Sequence, residues 1–269
     1  MNIKKPLVSV ITPSYNQGEF IKETIDSVLS QDYENLEYIV IDAVSADDTL
    51  EILKSYGNKI KWVSEKDAGQ ADAVNKGIKM AKGEIIGWLN SDDTYYPGAV
   101  SAAVNFLTEN PESALVYGEA NFISKDGGII RRYKTEKYSR KGMARSCIIC
   151  QPSAFFRKEA AEAAGLLDIS YQCSMDYELW LRMAEKFKLS YIPYLMAASR
   201  MYQENKSSSR IGEVCRETFK CQLKYNGYVH IKWILYYAKY LIHSKNEKNR
   251  FKKIIGLFFG KYFYDKRGK

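Results

Sequence analysis

The sequence predicts an α/β fold: a Rossmann-like, mainly parallel sheet flanked by helices, with a helical C-terminal extension. Three observations carry this. Short apolar runs alternate with helical patterns through the first half, polar and acidic clusters close those runs one after another, and basic and aromatic residues gather at the end of the chain.

Taken in order, strands are expected at residues 7–12, 37–42, 60–64 and 85–89, and helices at 19–30, 47–56, 70–81 and 97–108. Asp47 suits a helix start, and Pro97 suits a first helical turn. A less regular half follows, with a strand at 114–117, a hairpin region at 129–133 and a helix at 175–187. The polar stretch 203–209 reads as an exposed loop leading into the helical end. A chain of 269 residues buries one sizeable core. The expected division is a catalytic domain over 1–210 and a helical, basic and aromatic segment over 211–269.

Charge is unevenly placed. Residues 225–269 hold 11 Lys and Arg against 2 acids, and 12 of the 36 aromatic residues. An anionic partner is expected there. Lys232, Tyr236, Lys239 and His243 recur at helical spacing among apolar residues, and Lys252 and Lys253 precede an apolar run. Neither stretch reaches the ~18–20 apolar residues of a membrane span, so residence in the interface of an anionic membrane is the better reading; packing on the catalytic domain is its rival. No signal-peptide pattern opens the sequence and five cysteines make an odd number, which together point to a reducing, cytoplasmic setting. Cys147 and Cys150 form a lone CxxC without two further zinc ligands nearby.

The most informative cluster is Asn90-Ser91-Asp92-Asp93, directly after the apolar run ending at Leu89. Open α/β sheets bind ligands at the carboxyl ends of their strands, and paired carboxylates there can share a hard divalent cation with a diphosphate; an Asx-rich turn is the plainer alternative. Pro13 and Tyr15 close the first strand, Asp42 the second, and Asp67 the third, all on the same rim. Gln70, Asp72 and Asn75 then recur at about helical spacing, on either a pocket-facing or a solvated face. Neither GxGxxG nor GxxxxGK[ST] is present, which argues against a dinucleotide oxidoreductase or a P-loop NTPase.

These segments together resemble the family-2 glycosyltransferases of the GT-A fold: VSVITPSYN at 8–16, SVLSQ at 27–31, VID at 40–42, NKGI at 75–78, AKGE at 81–84, LNSDD at 89–93 and MDYELWLR at 175–182. The resemblance implies an inverting transfer of sugar from a nucleoside diphosphate donor to a saccharide acceptor, with Mn²⁺ or Mg²⁺ on the diphosphate. A surface-polysaccharide setting, a polyprenyl-linked acceptor and a peripheral place on the inner membrane face are expected with it, and nucleic acid is not an expected partner. Carried over, Pro13, Tyr15, Asp42, Asp67, Asp72 and Asp92 would bind the nucleotide, Asp93 the metal, and Asp176 would act as base. Gln151 and Trp180 are assigned to the acceptor side, although Gln151 also suits a plain turn and Trp180 a core position. Taken alone, Asp176 would suit an early-helix acid.

Three departures stand out. Met175 stands where relatives usually have a second acid before the base, and Ala43 and Val44 follow Asp42 where many have another carboxylate, which leaves the donor base open. Tyr202 lies where relatives often carry histidine, so its hydroxyl must replace that contact or leave it to others. A noncatalytic nucleotide-sugar or nucleic-acid binder and a sugar nucleotidyltransferase are the rival functions. The latter would need a basic, glycine-rich loop that residues 12–18 lack.

Overall fold

The computed structural model describes residues 5–243; the basic and apolar stretch at 252–259 lies outside them. The chain runs β1 (Val8–Ser14), α1 (Ile21–Leu29), β2 (Leu36–Asp42), α2 (Thr49–Ser55), β3 (Lys61–Ser64), α3 (Gln70–Met80), β4 (Ile85–Trp88), β5 (Thr94–Tyr95) and α4 (Ala99–Glu109). It continues through β6 (Ser113–Ile123), β7 (Ile129–Arg132), α5 (Arg140–Arg145), β8 (Ala154–Arg157), α6 (Lys158–Ala164) and α7 (Met175–Met183). Then come β9 (Lys188–Arg200), α8 (Lys206–Ser209), α9 (Ile211–Asn226) and α10 (Ile231–His243).

All described strands join one sheet in the order β3-β2-β1-β4-β8-β6-β9-β5, with β7 on β6. The first four are parallel, as the βαβ rhythm demands. Antiparallel β8 then separates them from β6, which pairs parallel with β9. The sheet is therefore a parallel half joined to a mixed half.

Every residue of β1 is buried, Ser9, Thr12 and Ser14 included, and so is the whole of β4, as strands covered on both faces require. One cluster of core side chains fills one side of the sheet around Ile11, Trp88, Phe156 and Trp180; a second fills the other around Val10, Ile25, Val104 and Phe155. Helix α3 lies close against β1 because Gly77 has no side chain: a Cβ there would stand 2.4 Å from Ile11 Cγ2.

The mixed half was less legible. Strand β9 carries Pro193 in its middle, a residue that argues against an inner strand. Its register against β6 shifts between Tyr117 and Glu119, and the irregularity takes up the proline. The helical end does not stand apart: α9 packs on α7, and α10 on both α9 and α5. No helix among the described residues is long and apolar enough to cross a membrane.

Candidate active site

A cavity of about 1120 Å³ opens along the carboxyl ends of the parallel strands. That exceeds the ~300–1,000 Å³ of an ordinary small-molecule pocket and leaves room for more than one ligand. Pro13, Tyr15, Asp67, Asp92, Asp93, Gln151 and Asp176 all line it. Residues scattered over more than 160 positions of sequence thus meet in one place.

Three assigned residues do not line the cavity. Asp42 is fully buried and ties its own loop: its carboxylate accepts Ser45 N–H at 3.0 Å, Ser45 Oγ at 2.5 Å and Ser64 Oγ at 2.6 Å. Asp72 accepts Ala68 N–H at 3.0 Å and pairs with Lys76, holding the entry to α3. Trp180 is wholly buried, its ring edge-on to Phe156 at 5.7 Å, so of its two readings the core is the correct one.

The loops after β1 and β2 are laced together. Ser45 Oγ accepts Asn16 N–H at 2.8 Å, Asn16 Oδ1 accepts Ala46 N–H at 2.8 Å, and Asp47 accepts Gly18 N–H at 2.9 Å. Val44 sits in this lacing at φ 58°, left-handed backbone that a β-branched residue rarely adopts. Gly69 starts α3 at φ 112°, and its N–H reaches Asp67 at 2.8 Å. Of the polar residues on α3, Gln70 faces the cavity, while Asn75 clamps Leu167 by accepting its N–H and donating to its C=O, both at 2.9 Å.

The acidic pair is held from the far end of the domain. Arg200 N–H donates to Asp93 Oδ1 at 2.9 Å, and Arg200 Nε to the Asp92 carbonyl at 2.9 Å. Its guanidinium also meets Ser124, Lys125 and Glu23, so this buried cation is saturated with structural bonds. Asn90 joins Asp93, Gln70 and Gln151: its amide donates to Asp93 at 3.3 Å and Gln151 at 2.8 Å, and its oxygen accepts from Gln70 at 2.7 Å. Tyr202 places its hydroxyl on Asp92 Oδ2 at 3.1 Å, so tyrosine does reach the acidic pair from the position where relatives often have histidine.

Burial raises Asp92 above the usual carboxylate range, and burial with the neighbouring Asp92 charge raises Asp93 well above it. Two adjacent, desolvated carboxylates are short of positive charge, and their hard oxygens fit Mg²⁺ or Mn²⁺. No group of three or more His, Cys, Asp or Glu gathers to hold a metal among the described residues. A cation held by these two carboxylates would take its remaining positions from ligand and water.

Elsewhere in the lining, burial pushes the Asp176 carboxyl up to about 6, with the Glu217 charge adding to the effect. Such a value keeps a carboxylate basic yet ionised at neutral pH. Of the stretch read as an exposed loop, Gln203, Glu204, Ser207 and Ser209 are exposed, but Lys206–Ser209 forms α8 and Lys206 lines the cavity: its Nζ bonds Gln70 Oε1 at 3.1 Å, and burial lowers its pKa. Sequence reasoning passed over Lys206 and Arg200, whose partners lie 136 and about 107 residues away.

Residues 9–165, more than half of the chain, match the description glycosyl transferase family 2. This chain is a member of that family. It is 30% identical over 226 residues to an uncharacterized glycosyltransferase of Rickettsia prowazekii (strain Madrid E), covering 79% of this chain and 70% of that one. It is also 30% identical to a chondroitin synthase of Escherichia coli, over 77% of this chain and 30% of the synthase. The chain spans only 39% of a related, uncharacterized glycosyltransferase of Rickettsia felis. Among solved structures, S. aureus TarS 1–349 with UDP-GlcNAc superposes with a TM-score of 0.66 at 20% identity, covering 82% of this chain and 67% of that one. The mannosyltransferase PcManGT of Pyrobaculum calidifontis, solved with GDP-Man and Mn²⁺, gives 0.65 at 20% identity, covering 82% and 64%. At that identity the likeness establishes the GT-A fold.

Proposed function

We propose that this family-2 chain transfers a sugar from a nucleoside diphosphate donor to a saccharide acceptor with inversion at the anomeric carbon. One observation carries the reading: a single large cavity holds a desolvated acidic pair, Asp92 and Asp93, and a carboxylate poised near neutrality, Asp176. Tyr15, Asp67 and the laced β1 and β2 loops would bind the nucleoside, and Asp93, with Asp92 beside it, would hold a divalent cation. When bound, such a cation would supply charge neutralisation to the diphosphate leaving group.

The remaining chemistry belongs to the chain. Asp176 takes the proton of the acceptor hydroxyl as its oxygen closes on the anomeric carbon, and the nucleoside diphosphate departs from the opposite face. One displacement inverts the centre, so no carboxylate nucleophile is required. Asn90 and Arg200 keep Asp93 in place, and Lys206 adds positive charge to the wall.

Helix α10 suits a lipid-linked acceptor made at an anionic membrane surface. Its Trp233 and Tyr236 line the cavity, and Tyr237 and Leu241 pack inward. Ile231, Leu235 and Ile242 form an outward apolar strip, each more than half exposed, beside the exposed Lys232 and Lys239. Leu235→Glu is expected to weaken flotation with anionic vesicles while leaving soluble-acceptor turnover intact; equal flotation would remove the membrane from the reading.

Incubation with UDP-, GDP- and dTDP-sugars and saccharide acceptors, followed by mass spectrometry and NMR of the anomeric proton, tests the reaction. A product of inverted configuration is expected from one donor. Nucleotide-sugar binding without transfer to any acceptor, or a product of retained configuration, would contradict the assignment.

A further inference from the structure

The helix carrying Asp176 is not capped by its own sequence. Ser174 stands at its N-terminus without a side-chain cap, its Oγ turned to the Val214 carbonyl and the Thr218 hydroxyl at 3.3 Å. Glu217, in the middle of α9, does the work instead. Its carboxylate accepts three consecutive backbone N–H groups, Gln172 at 2.7 Å and Cys173 and Ser174 at 2.8 Å each.

Charge-assisted bonds from three amides to one carboxylate hold the backbone of 172–174 in a single conformation. Ser174 C=O accepts the first helical bond from Glu178 at 2.9 Å, so the held segment fixes where α7 begins. Asp176 lies two residues past that segment. A further set of contacts locks the same helices together lower down: Glu178 binds Arg182 at 2.7 Å and accepts the Tyr225 hydroxyl from α9.

Around Asp176 stand Tyr133 from the stretch after β7, Cys147 and Cys150 from the stretch before β8, and Cys221 and Glu217 from α9. Burial pushes the Cys147 and Cys221 thiols up to about 12 and raises Cys150 and Tyr133 well above their ordinary values. Glu217 is the one carboxylate among these groups. Glu217 itself faces Cys173 and Lys206.

We propose that Glu217 is a positioning residue for Asp176: by binding the three amides ahead of α7 it aims the base at the acceptor hydroxyl and makes catalysis depend on the C-terminal helices. This rests on Asp176 being the base. Neither Glu217 nor α9 falls within the stretch matched by the family, which ends at 165.

The test pairs Glu217→Gln, which keeps size but removes the charge, with Glu217→Asp, which keeps the charge but shortens the reach. In Glu217→Gln we expect kcat to fall at least tenfold at unchanged donor KM. The acid limb of kcat should move to lower pH, because loss of a neighbouring negative charge lowers the Asp176 pKa. Glu217→Asp should lower kcat with the limb nearly in place. A ¹³C titration of the Asp176 carboxyl, assigned with Asp176→Asn, should show the same downward movement in Glu217→Gln without reference to activity. An unmoved titration and limb, or an unchanged kcat in a folded variant, overturns the proposal; if Glu217→Gln does not fold, an unchanged kcat in Glu217→Asp does so. Full turnover in Asp176→Asn would be a different failure, that of the base assignment.

Discussion

The two walls of the cavity are built on different principles. The donor wall is made of consecutive strand ends in β1 to β4, each joined by its own short loop, so Tyr15, Asp67 and Asp93 arrive on one rim by topology alone. The base wall is assembled from distant pieces: α7 carries Asp176, α9 caps it, and α8 and α10 supply Lys206, Trp233 and Tyr236. On the proposed assignment the binding residues are placed by local order, with Arg200 and Tyr202 steadying the acidic pair from afar, whereas the base is placed by tertiary contact throughout. Changes on the donor wall should act on affinity, and changes on the base wall on rate.

The largest expected effect tests that division. Asp176→Asn should cut turnover by about 10²–10⁴-fold, the usual contribution of a general base, with donor affinity unchanged in calorimetry. A parallel loss of donor binding would erase the distinction between the walls. The pH dependence has a definite sign: the base must be ionised, so kcat in the wild type should fall as pH drops through about 6. The raised carboxyl also means that the folded state holds its proton more tightly than the unfolded chain. Asp176 therefore costs stability as pH rises from about 4 to 6, and Asp176→Asn should raise Tm at pH 8 relative to wild type.

Trp180 sharpens the comparison from inside the base wall. As a core residue behind α7, its replacement by Ala should cost about 3–5 kcal/mol in chemical denaturation. If Trp180→Ala were instead stable and impaired only in acceptor KM, Trp180 would belong to the cavity after all.

On the donor wall the effects are smaller. Tyr202→Phe removes one hydroxyl from Asp92 and should weaken cation-dependent nucleotide binding by about tenfold, the worth of a single hydrogen bond to a charged group. No change would mean that the tyrosine merely fills space. Val44→Gly should relieve a left-handed backbone in the loop lacing and stabilise the protein by about 0.5–1 kcal/mol, read as a rise in denaturation midpoint. Destabilisation would show that the valine side chain, not its backbone, matters there.

Legibility followed the same line. Asp93 stands out in sequence because an apolar run, a turn and a strand end are local signals, and Asp176 only through the resemblance carried by residues 175–182, beyond the matched stretch 9–165. Asp42 shared the strand-end signal yet is consumed by Ser45 and Ser64, since a strand-end carboxylate serves a loop or a ligand equally well in sequence. Glu217 and Arg200 carry no sequence signal for their roles, because their partners lie 43 to 45 and about 107 residues away and no periodicity spans such distances. Lys206 was hidden for another reason: a run of Ser, Asn and Lys looks solvated whether it faces bulk water or a polar cavity.

The most direct test of the central claim is calorimetry of UDP, GDP and dTDP, each with and without Mn²⁺, on the wild type, Asp93→Ala and Asp176→Asn. The account predicts that one nucleotide binds in a Mn²⁺-dependent way, that Asp93→Ala loses this binding by about 10–100-fold or more, and that Asp176→Asn retains it. Binding to none of the three, or binding indifferent to both Mn²⁺ and Asp93, would contradict it.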